Sequence, residues 1–142
     1  MDRDTATHSI SDGLFRYDGT SMWPLFKPGD LLGVQSVPVN ELKVGDCIVY
    51  RKAGDRAFTV HRVCALHPDI YTKGDRRPCR DDHSVAPADI KGRVDTRVRH
   101  GRRTRVRGGR LAALQGRILQ LASRLDPDRP ARLGWLARQV RW

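Results

Sequence analysis

No stretch of this 142-residue sequence stays apolar for the roughly 18 residues that a bilayer-crossing helix needs. The opening residues, MDRDTATHSI, hold two early acids and no apolar core, so they are expected to be neither a secretory leader nor a membrane span. Cysteine is scarce. Cys47, Cys64 and Cys79 are odd in number and lack CxxC or His-paired spacing, which argues against a disulfide framework and a zinc site and suits a reducing cytoplasm. Acidic residues are nearly missing from the last third: residues 91–142 hold 15 Lys and Arg against 3 Asp and Glu, a balance of +12. Residues 1–90 hold 12 against 13, a balance of −1, so the net charge of +11 resides in the tail. Such a tail attracts nucleic acid, anionic lipid or an acidic partner without choosing among them.

What is present reads as one small domain with tails. From Leu14 to about Arg99, short apolar runs end at Gly, Pro or Asp: LFRYDG, LLGVQSV, CIVYRK, FTVHRVCAL, DIYTKGD and IKGRVDTRVRH. This rhythm predicts a mainly β domain over 13–101, after an N-terminal tail of 1–12. KPGDLL at 27–32 and KVGDCI at 43–48 echo each other and predict strand-entry turns, with Asp30 and Asp46 capping N–H groups of the strand that follows. Over 102–142 the composition changes to a basic, helical extension. There Leu111, Leu114, Ile118, Leu121 and Leu125 fall on one helical face, and Asp126-Pro127 ends the pattern. A second amphipathic stretch, RPARLGWLARQVRW, is weakened by Gly134.

One loop and one strand can carry chemistry. Ser21 lies in YDGTSMWPLFKPGD, a stretch too punctuated for a helix, where backbone N–H groups are free to face a substrate carbonyl. A serine hydroxyl needs a base, an orienter for that base, and donors for an oxyanion. The base is expected to be His61, which shares a strand face with Thr59, Val63 and Ala65. Asp75, Asp81 and Asp82, all following the KGD turn, are available as the orienter. Cys47 and Cys64, in apolar strands, are expected in the core, and Cys79 in an exposed loop.

These residues together resemble the type I signal peptidase family, in the branch of archaea and the endoplasmic reticulum that pairs serine with histidine. The matching pieces run in family order. They are x-Gly-x-Ser-Met-x-Pro at Gly19 to Pro24, Gly29-Asp30, Gly45-Asp46 before CIVY, His61-Arg62-Val63, TKGD at Thr72 to Asp75, Asp81, and VAPADIKGRV ending at Val94. The resemblance covers roughly residues 13–95 and implies a small coiled β-sheet or barrel-like core acting as a serine endopeptidase, without metal or organic cofactor. It implies Ser21 as nucleophile, His61 as general base, Asp81 as the orienting acid and Asp75 as a support of the site's geometry. Asp82 is the alternative acid; Val85 follows Asp81 at the familiar offset. Gly19, Thr20, Met22 and Pro24 would form the oxyanion and substrate-binding rim, with Met22 near the substrate. The family's membrane span and substrate-side insertion are not matched, since 13 residues separate His61 from Asp75. A soluble enzyme acting on a leader or precursor peptide is therefore expected.

Two other readings rank lower. Self-cleaving repressors of the SOS response share a Ser-Met loop on a similar β fold, but they use lysine where this chain has His61 and carry an N-terminal DNA-binding domain. The alternative of a different class is a non-catalytic binding module that keeps the fold and holds an anionic partner through the tail. For the tail itself, docking of its Leu face on the β domain ranks first, peripheral membrane contact second, and nucleic-acid binding third, because no aromatic stacking platform accompanies the arginines.

Overall fold

The computed structural model describes residues 7–11, 13–109 and, further along, 112, 114, 117, 118 and 121. Eight strands form: β1 (Thr7–Ser11), β2 (Leu14–Tyr17), β3 (Asp30–Gln35), β4 (Cys47–Tyr50), β5 (Thr59–Ala65), β6 (Tyr71–Lys73), β7 (Ile90–Arg99) and β8 (Arg102–Arg105). They make one antiparallel sheet in the order β1-β2-β3-β7-β4-β5-β6, with β8 also on β7, curled into a half-barrel. Each of the six apolar runs contributes a strand. The sheet also reaches past 13–101 at both ends, because β1 pairs with β2 and β8 with β7. Neither THSIS nor RRTR has the apolar alternation that marks a half-buried strand. Both are held by ladder hydrogen bonds to a neighbour, which composition does not reveal.

Burial follows the pleat. All four β4 residues are buried, and alternate side chains enter different clusters. Cys47 and Val49 join Phe15, Tyr17, Met22, Phe26, Leu32, Val60 and Val94, whereas Ile48 and Tyr50 join Leu42, Val63, Ile70 and Val85. On β5, His61 stands opposite Ile48 and Thr59 opposite Tyr50, so both belong to the second face. Arg62, opposite Cys47, belongs to the first.

The two echoing turns are built alike. Lys27 N–H donates to Asp30 Oδ2 at 2.8 Å and Asp30 N–H returns to the Lys27 carbonyl; Lys43 and Asp46 repeat this with 2.9 Å for the first bond. Gly29 and Gly45 adopt φ of 92° and 100°, a region that costs other residues strain. Both turns open a strand as expected, but each Asp caps the lysine three residues before it rather than an N–H of the strand beyond. The carboxylates then meet arginines of β7, Asp30 with Arg99 and Asp46 with Arg93.

Most of the expected helical extension lies outside the described residues. Ala112, Leu114, Arg117, Ile118 and Leu121 are helical. Ala112 is buried, but Leu114, Ile118 and Leu121 are exposed, so this part of the Leu face does not dock on the sheet. Leu111, Leu125 and the second amphipathic stretch fall outside the description. Among the described residues no helix is long and apolar enough to cross a membrane.

Candidate active site

Residues 18–29 connect β2 to β3 through a series of tight turns, in which Trp23 N–H bonds the Thr20 carbonyl and Phe26 N–H the Met22 carbonyl. Met22 and Phe26 anchor this loop in the core and leave Ser21 at its inner edge, 3% exposed. On the other side stands the segment after β6. Arg76 N–H donates to the Ser21 carbonyl at 2.8 Å, and Gly74 lies against Ser21 itself.

His61 rises from β5 between the two. Its Nε2 is 3.0 Å from Ser21 Oγ and its Nδ1 is 2.6 Å from Asp81 Oδ2. The same carboxylate oxygen accepts from Thr72 Oγ1 at 2.6 Å and from the Tyr50 hydroxyl at 3.3 Å. Burial alone would push the Asp81 carboxyl up, but the hydrogen bonds and charge of His61 and the bonds from Thr72 and Tyr50 outweigh it and hold the group below its ordinary value. Asp81 is thus an anion that can only accept. A neutral His61 must carry its proton on Nδ1, which leaves the Nε2 lone pair facing the serine hydroxyl.

A fourth hydroxyl borders Ser21. Tyr17 OH accepts from the Met22 N–H at 3.0 Å and stands 3.5 Å from Ser21 Oγ. Since the serine proton is directed at His61, Tyr17 can serve only as donor in that contact. The Ser21 N–H, by contrast, bonds no described residue.

The chain matches no known protein family, no curated protein and no solved structure.

The remaining expected site residues take distinct places. Asp75 does not touch His61; it is buried and forms two 2.7 Å bonds to Arg62, whose third bond goes to the Gly45 carbonyl. That clamp joins β5, the turn before β4 and the segment bearing Gly74 and Arg76, so Asp75 acts on the site through the backbone it fixes. Asp82 is exposed and lines the same cleft as His61, but Asp81 is the acid that bonds the imidazole. Gly19 and Pro24 are buried and Thr20 half-buried in the loop. Met22 departs from its expected place near substrate: its side chain is fully buried among apolar residues and its N–H is taken by Tyr17.

Cys47 is buried, as its apolar strand implies, but Cys64 is exposed like Cys79. Position 64 lies beyond the buried part of β5, and its thiol points at the Tyr71 carbonyl, 3.3 Å away. No group of three or more His, Cys, Asp or Glu among the described residues is arranged to hold a metal ion. A cleft of about 490 Å³ opens onto His61, Asp81 and Thr59, between the turn after β4 and the 77–83 loop. The sequence reading overlooked Tyr17, Tyr50, Thr72 and Gly74 as participants, and of these only Thr72 and Gly74 carried a signal, inside TKGD.

Proposed function

We propose that the protein is a serine endopeptidase of signal-peptidase type that cleaves a leader or precursor peptide through an acyl-enzyme. The continuous chain of contacts from Ser21 Oγ through both nitrogens of His61 to the Asp81 carboxylate is the observation that carries this reading. His61 Nε2 takes the hydroxyl proton as Ser21 Oγ attacks the scissile carbonyl, and Asp81 stabilises the imidazolium that results. The Ser21 N–H, which bonds no described residue, is available to the oxyanion, with Thr20 beside it. His61 then gives its proton to the departing amine, so the half of the substrate that leaves first lies on the His61 side, where the 490 Å³ cleft opens. A water activated by the same nitrogen releases the acyl half. None of these steps calls on a metal or an organic cofactor.

The test is cleavage of a diverse peptide library, read by mass spectrometry beside Ser21→Ala and His61→Ala. Cuts that vanish in both variants support the endopeptidase and give its site preference. Failure of the wild-type chain to cut any peptide, or of Ser21 to be phosphonylated by a fluorophosphonate with loss of fluoride, would overturn it.

A further inference from the structure

Between Asp95 and Asp126 the sequence contains nine arginines and no acid. Two of them face inward: Arg99 grips Asp30 and Arg97 donates to the Leu25 carbonyl. Arg102, Arg103, Arg105 and Arg107 are exposed and form no ion pair with any described residue. Three of these sit on β8, whose only strand partner among the described residues is β7.

Shortly after them come Leu114, Ile118 and Leu121, exposed by 53%, 55% and 60%. Among the described residues, only Val44 joins them as an exposed large apolar side chain. Spacings of four and three place the three on one helical face, with Arg117 exposed beside Ile118. Val44 and Arg117 line the same pocket, so the helical segment passes next to the turn before β4.

We infer that this face docks on an anionic lipid bilayer. Cationic side chains gain from the negative leaflet while the apolar stripe enters the boundary between headgroups and acyl chains. Trp135 and Trp142, farther along the sequence, are of the residue type that favours that boundary. Nucleic acid would satisfy the arginines but leave the stripe in water. A second copy of the chain would cover the stripe but bring two tails of +12 together. A bilayer satisfies both at once. The inference does not depend on turnover at Ser21.

Flotation of the full-length Ser21→Ala chain with vesicles of phosphatidylcholine, with or without phosphatidylglycerol, tests it separately from catalysis. The chain is expected to float with the anionic vesicles alone and to be released by salt. Each arginine near an anionic surface is worth about a fivefold gain, so replacing Arg102, Arg103, Arg105 and Arg107 by Gln lowers partitioning at least about a hundredfold. Leu114→Ser, Ile118→Ser and Leu121→Ser combined lower it about tenfold or more. All seven side chains are exposed, and circular dichroism checks that the sheet persists. Absence of the wild-type protein from the anionic vesicle fraction would overturn the inference. So would undiminished flotation of the Ser triple variant, binding to an RNA duplex in place of vesicles, or a dimer that the triple variant dissolves.

Discussion

A β-carbon built on Gly74 would stand 2.9 Å from the Ser21 carbonyl oxygen and 3.2 Å from His61 Nε2. The backbone at 74 is therefore a wall of the site, and only the smallest residue lets Ser21 and His61 approach each other beside it. Gly74→Ala is expected to cut peptide turnover about a hundredfold, since small misplacements of reacting groups cost that much. The fold should survive with a loss of about 1–3 kcal/mol. Turnover and thermal melting on the same preparation check this; unchanged turnover would show that the loop gives way without consequence.

Asp81 and Asp82 adjoin in sequence but only one meets the imidazole. Asp81→Asn should lower kcat about 10⁴-fold, because an amide can hold His61 in the wrong tautomer, whereas Asp82→Asn should leave it near wild type. The folded Asp81 carboxyl lies below its ordinary value of 3.8. Its contribution to stability is therefore complete above that value and is lost as pH falls through the lower, folded one. Acid titration of wild type and Asp81→Asn should show this loss only in the wild type.

Tyr17→Phe removes the donor at Ser21 Oγ and leaves the buried Met22 N–H without its partner. A loss of about 1–3 kcal/mol in stability follows from the orphaned amide. Turnover should fall roughly tenfold, about the worth of one hydrogen bond to the reacting oxygen. If melting drops while kcat holds, Tyr17 only supports the loop.

Ser21 and His61 were legible in the sequence because each side chain announced itself locally, and the structure brings the two together. Ser21 sat in a stretch of turn residues with apolar anchors, and His61 stood in an apolar strand where a histidine is conspicuous. Thr72 stood inside TKGD, but Tyr50 gave no such sign, because its hydroxyl reaches Thr72 and Asp81 only once β4, β5 and β6 have paired. The tail misled for the opposite reason. Periodicity puts Leu114, Ile118 and Leu121 on one helical face, but it cannot say whether that face turns toward the sheet.

Arg62 and Asp75 form a buried pair whose members depend on each other. Asp75→Asn is expected to cost about 3–5 kcal/mol, the range for leaving one buried charge uncompensated. Turnover should fall with it, through the segment that holds the Ser21 carbonyl. Thermal melting and peptide cleavage together check both parts; a variant that melts like wild type would show that Asp75 does not anchor the segment.

Burial pushes the Cys47 thiol up to about 12 from an ordinary 9.0. Iodoacetamide should modify exposed Cys64 and Cys79 in the folded protein and reach Cys47 only on unfolding, as peptide mass mapping would show. The sign of the linkage follows. Below 9.0 the thiol is neutral in both states; between there and about 12 only the unfolded chain gives up its proton, so stability falls as pH rises through that window.

Strand order also dictates when the site comes into being. Ser21 belongs to the β1-β2-β3 portion and His61 to the β4-β5-β6 portion, and β7, late in the chain, is the strand that joins the two. A nascent chain lacking residues 90–99 contains both Ser21 and His61 but lacks the strand that pairs with β3 and β4. The strand that couples the portions carrying Ser21 and His61 is thus one of the last to be synthesised.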